Sequence, residues 1–386
     1  MESMKGNQLI CASRQNTLRN KTMQEEEQQL SQDKKNAIEA YNLIKTYRGG
    51  NVRAVDDISF SVTRGEIFGL LGPNGAGKTS TIKMVVTLAK ATSGRLKVFG
   101  VDVSKSPQTV RGMLGYVPQS ISVDADLTAY ENLLIFSKLS YVNKQDRDER
   151  IREALQYMGL AERANDLVKH FSGGMMRRLE IAQALVNRPR ILLLDEPSIG
   201  LDPASKRQVW KSIKQLRQDY GTTILITTHD MVEADTLCDR VAIMSAGKIA
   251  VLGNPAELKR AVGGGDRVTV NLASAVRLQN LQFLTSLGTV VAAAANDDDV
   301  DDDNEKNETS IQILVKDGEE AIPHIMDSFR SSGIRIESIS VSKPTLDDVF
   351  MKYANRRLDD EEMITTRNSN NSHSSGARRD FVRHAK

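Results

Sequence analysis

Three stretches of the sequence carry residues that could do chemistry and that have no ordinary packing reason to stand where they do. The first is Gly72-Pro73-Asn74-Gly75-Ala76-Gly77-Lys78-Thr79-Ser80, which fits G-x-x-x-x-G-K-[ST] and lies between the apolar run Ile67 to Leu71 and a helix-forming stretch from Ser80. Glycines there let the backbone curl until successive N–H groups converge on phosphate oxygens, and the helix N-terminus adds its positive dipole end. In such a loop Lys78 reaches the β- and γ-phosphates of a nucleotide and the Thr79 hydroxyl coordinates Mg²⁺. The second stretch runs from Ile191 to Asp195-Glu196, an apolar strand that ends in two carboxylates a buried strand has no use for. Asp195 is placed to hold Mg²⁺, directly or through water, and Glu196 to orient and partly deprotonate an attacking water. The third is His229, in Thr-Thr-His-Asp after the β-branched run Thr222 to Thr228. A lone histidine at a strand end is usually structural. Here its strand is expected beside the Asp195 strand in a parallel sheet, which brings His229 out at the edge where open α/β sheets bind ligands.

The elements that must position these residues are short β-branched runs (Glu66 to Leu71, Ile191 to Leu194, Thr222 to Thr228) alternating with helical patterns, the mark of a mainly parallel sheet. One helix is expected to follow Pro203, with Val209, Ile213, Leu216 and Tyr220 on one face, and to stop at Gly221. This α/β region extends from 37 to 266. The glycine run 263–265 marks a boundary, and strands of strict alternation follow: Val268, Val270, Leu272, then Ile311, Ile313, Val315. They predict a smaller α+β domain over 267–356, interrupted by an acidic loop at 296–308 whose aspartates lack the glycine turn and distal glutamate of an EF-hand. The domain closes with a helix opened by Thr345 and carrying Leu346, Val349, Phe350 and Tyr353 as an apolar stripe, which predicts docking on the α/β core or on a second copy. Residues 1–36 and 357–386 are polar, lack apolar periodicity and read as disordered tails.

Composition narrows the class. The 386 residues are 40% hydrophobic and 26% charged, and the longest apolar runs fall far below the ~20 residues needed to cross a bilayer. No secretory leader is legible at the N-terminus, so the chain is expected in the cytoplasm. Two cysteines, Cys11 and Cys238, give neither a disulfide framework nor metal-ligand spacing, and a net charge of +2 points to no nucleic-acid partner.

Further motifs fall in a fixed order around these three. Tyr116-Val-Pro-Gln119 resembles the glutamine loop of the ABC ATPase family, Ser172-Gly173-Gly174 its signature, Gly200-Leu201-Asp202 its D-loop and His229 its histidine switch, while Tyr47 stands where the family stacks a ring on adenine. The resemblance covers Ala37 to roughly Asp266. It implies a P-loop NTPase cassette, with a mainly parallel sheet and antiparallel β and helical subdomains, that binds ATP and Mg²⁺ and hydrolyses ATP. It also implies a head-to-tail homodimer in which each ATP lies between the phosphate loop of one chain and the signature of the other. Gln119 would sense Mg²⁺ and the attacking water, its loop touching a membrane permease subunit on a separate chain at the cytoplasmic face of the cell membrane. Two positions depart from the usual signature: Phe171 replaces Leu, and Met175 replaces a Gln whose hydrogen bonds a thioether cannot donate.

A narrower resemblance lies in Ser-Gly-Gly-Met followed by two arginines, and in Pro344-Thr-Leu-Asp-Asp-Val-Phe350. Both are similar to daunorubicin-resistance efflux ATPases, which implies drug export and a C-terminal accessory domain. Cassettes serving DNA repair or translation carry a long coiled coil or a second phosphate loop, and neither is present. A cassette that only clamps on ATP is expected to lack Glu196.

Overall fold

The computed structural model describes residues 35–47, 53–262, 265–277, 284, 288–294 and 307–353. These divide into two compact units, Met1–Leu252 and Gly253–Lys386.

In the first unit, strands β1 (Asn36–Thr46), β2 (Arg53–Thr63), β4 (Ser93–Val98) and β5 (Val101–Asp102) form an antiparallel sheet in the order β2-β1-β4-β5. A second sheet has the order β10-β9-β3-β8-β7-β6, built from β3 (Ile67–Leu71), β6 (Leu114–Val117), β7 (Ile191–Asp195), β8 (Thr223–Thr228), β9 (Arg240–Ser245) and β10 (Lys248–Gly253). From β9 through β6 its neighbours run parallel. Every residue of β3, β7 and β8 is buried, which explains their continuous apolar runs, since strands of a covered parallel sheet have no solvent face to alternate toward. The rings of Phe60 and Phe68 stack 5.6 Å apart and join the two sheets through one core.

Helices α1 (Lys78–Val85), α2 (Pro107–Arg111), α5 (Gly173–Leu185), α6 (Pro203–Tyr220) and α7 (Met231–Leu237) belong to this framework, and α3 (Ala129–Leu139) and α4 (Arg147–Tyr157) form the helical segment between Gln119 and Ser172. Helix α6 has the expected bounds, with Gly221 in the left-handed region as its C-cap. Its stripe is shorter than expected. Val209, Ile213 and Leu216 are buried, but Tyr220 is 63% exposed and leans on the Tyr157 ring 5.3 Å away. Periodicity fixes a direction around the helix axis; it does not say that the last turn has already passed the edge of the sheet.

In the second unit, β11 (Asp266–Arg277), β12 (Thr289–Ala294), β13 (Asn307–Val315) and β14 (Ile336–Ser342) form an antiparallel sheet in the order β12-β13-β11-β14. The alternating residues pair as their spacing requires, Val268 with Ile313 and Val270 with Ile311, all buried with Phe329 of α9 (Gly318–Ser331). The unit opens with α8 (Pro255–Val262), ahead of the glycine run, and a closing helix spans 346–353. Thr345 and Asp348 cap that helix reciprocally, and Leu346 and Val349 are buried while Phe350 and Tyr353 are half-buried. Its Lys352 Nζ donates to the carbonyls of Ala261 and Val262 at the end of α8, so these tethers hold it to its own unit.

Two expected boundaries shift. Asn36, placed in the tail by its polarity, opens β1 opposite Thr63, and the acidic segment ends before Asn307 and Glu308, which open β13. Residues 1–34, 295–306 and 354–386, which hold the rest of the tails and the acidic loop, lie outside the described residues. Among the described residues no helix is long and apolar enough to cross a membrane.

Candidate active site

The phosphate loop leaves β3 at the carboxyl edge of the parallel sheet and enters α1 through Gly77, whose φ of 101° lies in the left-handed region. A Cβ there would stand 2.4 Å from the Ala54 carbonyl oxygen, so only glycine fits between the loop and β2. Lys78 points back under the loop. Its Nζ donates to Gly72 O (2.7 Å) and Pro73 O (3.1 Å) and pairs with Glu196 Oε1 at 3.4 Å, and the side chain is buried. A buried ammonium is tolerated only when paired and hydrogen-bonded, and all three partners come from the edge it serves. Next to it the Thr79 hydroxyl donates to Asp195 Oδ1 at 3.2 Å.

Asp195 and Glu196 reach the same place from β7. Asp195 is buried, and its Oδ1 also accepts the Thr227 hydroxyl from the neighbouring strand β8. Glu196 stands at φ 53°, a left-handed conformation that costs a non-glycine residue roughly 1–3 kcal/mol and persists only where the surroundings over-determine it. Its amide donates to Thr227 O and Thr227 Oγ1, which fixes the backbone. His229 Nδ1 lies 2.7 Å from Glu196 Oε2, but off the line a hydrogen bond needs, so that buried oxygen has no hydrogen-bond partner. A polar oxygen left unsatisfied in the interior is costly, and a water or ligand donor is what it lacks. β7 and β8 are parallel neighbours in the register Asp195 to Thr227, which is why His229 emerges beside Glu196.

Lys78, Thr79, Asp195, Glu196 and His229 thus form one cluster, and the residues fit a magnesium nucleotide. A buried cation lies under a glycine loop, a hydroxyl and a carboxylate stand together as ligands for Mg²⁺, and an orphaned carboxylate oxygen faces the edge. Among the described residues no three or more His, Cys, Asp or Glu side chains are arranged so that together they could hold a metal ion. A Mg²⁺ bound through one or two protein oxygens and substrate phosphates needs no such set.

A family model described as ABC transporter matches residues 55–199, and one described as the C-terminal domain of DrrA1-3-like ATP-binding proteins matches 253–354. The linearmycin resistance ATP-binding protein of Bacillus subtilis is 35% identical over 84% of this chain and all of its own length. The daunorubicin/doxorubicin resistance ATP-binding protein of Streptomyces peucetius is 36% identical over 84% of this chain and 94% of its own. This chain belongs to the ABC transporter family. A dimeric ATP-binding cassette in a post-hydrolysis state, bound to ADP and Pi, superposes with a TM-score of 0.52 at 26% identity, covering 56% of this chain and 98% of that one. The protein is therefore an ATP-binding and ATP-hydrolysing ABC cassette of the drug-resistance type, with the C-terminal domain of that branch.

The other expected residues of the cassette stand apart from the Lys78 cluster or at its rim. Tyr47 is 43% exposed, its hydroxyl 3.4 Å from Ser80 Oγ and its ring 4.7 Å from Lys45 Nζ. Gln119 is exposed in a bend after β6. Ser172 caps α5 by accepting from the Met175 amide (3.2 Å), and both Ser172 and Gly173 face solvent. Gly174 is buried against α6, where an added Cβ would meet Ser205 Oγ at 2.6 Å. Asp202 caps α6, and the hydrogen bonds it accepts from Ser205, with a further one from Ala204, hold its carboxyl below the usual range.

Some working residues escape a reading of the sequence. Thr227 orients Asp195, but a threonine in a β-branched run looks like strand filler. Glu233 in α7 is buried, which raises its pKa, while hydrogen bonds from Thr228, Ser198 and Trp210 oppose the shift. It thus ties the segment after Glu196 to the histidine strand. Arg177 and Glu180 read as an ordinary charged pair on a helix and are in fact buried.

Proposed function

We propose that two copies of this chain close head to tail around two ATP, each nucleotide gripped by the phosphate loop of one and the Ser172–Gly174 amides of the other, and that closure drives separate permease subunits exporting a drug-like molecule. The cassette would then sit at the cytoplasmic face of the cell membrane, held there by the permease. The observation that carries this reading is the division of labour at the site: Lys78, Asp195 and Glu196 are buried and have partners within the chain, whereas Ser172 and Gly173 lie open at the N-terminus of a 13-residue helix. Exposed amides at such an end suit the γ-phosphate of a neighbour's nucleotide.

In this reading Lys78 and the loop amides of Gly72 to Thr79 bind the phosphates, and Tyr47 packs on the base. Thr79 and Asp195 would hold Mg²⁺, with Gln119 completing its surroundings, and the ion would supply positive charge to offset that of the phosphates. Glu196 Oε2 accepts a proton from water as the water oxygen bonds to the γ-phosphorus and the bond from that phosphorus to the bridging oxygen of ADP breaks. His229, whose Nδ1 lies 2.7 Å from Glu196 Oε2, would hold the γ-phosphate beside that carboxylate. Loss of the γ-phosphate removes the bond between the copies, so the dimer opens.

Sedimentation of the Glu196→Gln variant tests the reading. With Mg-ATP it is expected to hold a nucleotide-dependent dimer and to turn over at least about a hundredfold more slowly, the ordinary contribution of a positioned base. A variant that remains monomeric with ATP bound defeats the dimer, and wild-type turnover defeats Glu196 as the base. Export is tested by co-expression with a permease encoded beside this chain: drug resistance is expected to require both, and to vanish with Lys78→Ala.

A further inference from the structure

We infer that Arg177, paired with Glu180, is a positioning residue that couples the place of the glutamine loop to the carboxylate of Glu196. A guanidinium carries five N–H donors in a fixed fork. Buried Arg177 finds five acceptors: Nε donates to Pro197 O at 3.0 Å, Nη2 to Asp195 O at 2.8 Å and Glu196 O at 3.1 Å, and Nη1 to Pro118 O at 2.6 Å and Glu180 Oε2 at 2.9 Å. Three of these are consecutive carbonyls of the segment that carries Glu196 in its left-handed conformation. The fourth belongs to the residue before Gln119. The fifth partner, Glu180, accepts on its other oxygen from the Ser122 amide (2.6 Å) and hydroxyl (2.9 Å), three residues beyond Gln119. Gln119 is therefore bracketed by two attachments, and both end on the group that fixes the backbone of Glu196.

The consequence is directional. Arg177 and Glu180 make no hydrogen bond to the phosphate loop, Lys78 or Thr79, so the pair reaches the nucleotide only through the segment 195–197 and the glutamine loop. A displacement of the loop 118–122, in contrast, stretches the Pro118 and Ser122 bonds and loosens the carbonyls of 195–197 together. The cassette would then hydrolyse ATP only when the glutamine loop is seated, with affinity for the nucleotide changed far less than turnover. A lysine at 177 keeps charge and stem, but its three donors on one nitrogen cannot span both the 195–197 carbonyls and Pro118. A glutamine at 180 must turn an NH₂ group toward either Arg177 or the Ser122 amide, both of which only donate, so the Arg177 bond is lost or the Ser122 attachment is reduced to its hydroxyl, which can accept.

This inference rests on Glu196 being the base, and the experiment separates the two. In the full-length chain, kcat and KM for Mg-ATP and the affinity for a non-hydrolysable ATP analogue are measured for Arg177→Lys, Glu180→Gln, Glu196→Gln and the double variant Arg177→Lys/Glu196→Gln, with melting temperatures as the control for folding. Arg177→Lys is expected to lower kcat at least about tenfold and Glu180→Gln at least about threefold, with KM and analogue affinity within about twofold of wild type. Added to Glu196→Gln, Arg177→Lys is expected to cost nothing further in kcat, because both act through one carboxylate. Wild-type kcat in Arg177→Lys and in Glu180→Gln, beside a silent Glu196→Gln, overturns the coupling and leaves the base standing. Losses that multiply in the double variant, or analogue affinity that falls in step with kcat, overturn it too. Near-wild-type turnover in Glu196→Gln overturns the base itself. If Arg177→Lys does not fold, Glu180→Gln alone decides by the same split between kcat and KM.

Discussion

The phosphate-loop side of this site and the signature side follow opposite rules. Lys78, Asp195 and Glu196 are buried and paired with one another or with Thr79, Thr227 and loop carbonyls, so the chain completes them as it folds. Ser172 and Gly173 are exposed, and the hydrogen bond that Ser172 accepts from Met175 is a cap on its own helix. Folding and catalysis are therefore entangled on the first side and separable on the second. Damage to the first should reach stability as well as turnover, while damage to the second should mainly reach association.

The largest expected effect is on the buried side. Lys78→Ala leaves Glu196 without its counter-charge, a loss of about 3–5 kcal/mol for a broken buried pair, and abolishes Mg-ATP hydrolysis; denaturant unfolding with a turnover assay reads both. Unchanged stability would erase the contrast. Gly174 marks where the two sides join, because it is the buried member of the signature. Gly174→Ala must push Ser205 aside and is expected to cost about 1–3 kcal/mol in the same unfolding assay, more than any change at exposed Gly173. Ser172→Ala sharpens the other side: loss of the cap costs about 1 kcal/mol, nucleotide binding to a single subunit is retained, and ATP-driven pairing weakens, which calorimetry and sedimentation distinguish.

The smallest effect concerns Asp230, which caps α7 beside His229 and pairs with Lys206 at 2.8 Å. Burial pushes its carboxyl up, but the Lys206 bond and the Val232 and Glu233 amides outweigh that and set it below its ordinary value. For an acid lowered on folding, the stability gained is present above the unfolded pKa of about 3.9 and lost as pH falls through the lower folded value. Asp230→Asn keeps a good cap and should melt slightly below wild type at neutral pH. The difference should close below about pH 4. A gap that persists there would show that the charge is not its cause.

Much of this was legible in the residues. Continuous apolar runs gave β3, β7 and β8, and the expectation that the Asp195 and His229 strands lie side by side matches the register found. The ordered motifs were enough to gather Lys78, Thr79, Asp195, Glu196 and His229 at one edge. What could not be read was depth. Arg177 and Glu180 have the spacing of a solvated helical pair, and only the fold shows that their face of α5 is covered by the carbonyls of 118 and 195–197. Tyr220 errs the other way, apolar in pattern yet exposed beyond the sheet edge. Hydrophobic periodicity reports which way a side chain points, and a buried charge held by main-chain oxygens leaves no mark in it.

The backbone at Glu196 has an evolutionary corollary. Asparagine and glycine adopt φ near 53° more readily than glutamate does. Replacing Glu196 by either should relax the backbone by roughly 1–3 kcal/mol, yet it strands buried Lys78 without its carboxylate, at about 3–5 kcal/mol, so a copy of this gene that loses Glu196 alone loses stability along with its chemistry. Inactive descendants of such a cassette are then expected to have changed Lys78 together with Glu196, because the fold tolerates the buried pair or neither member of it.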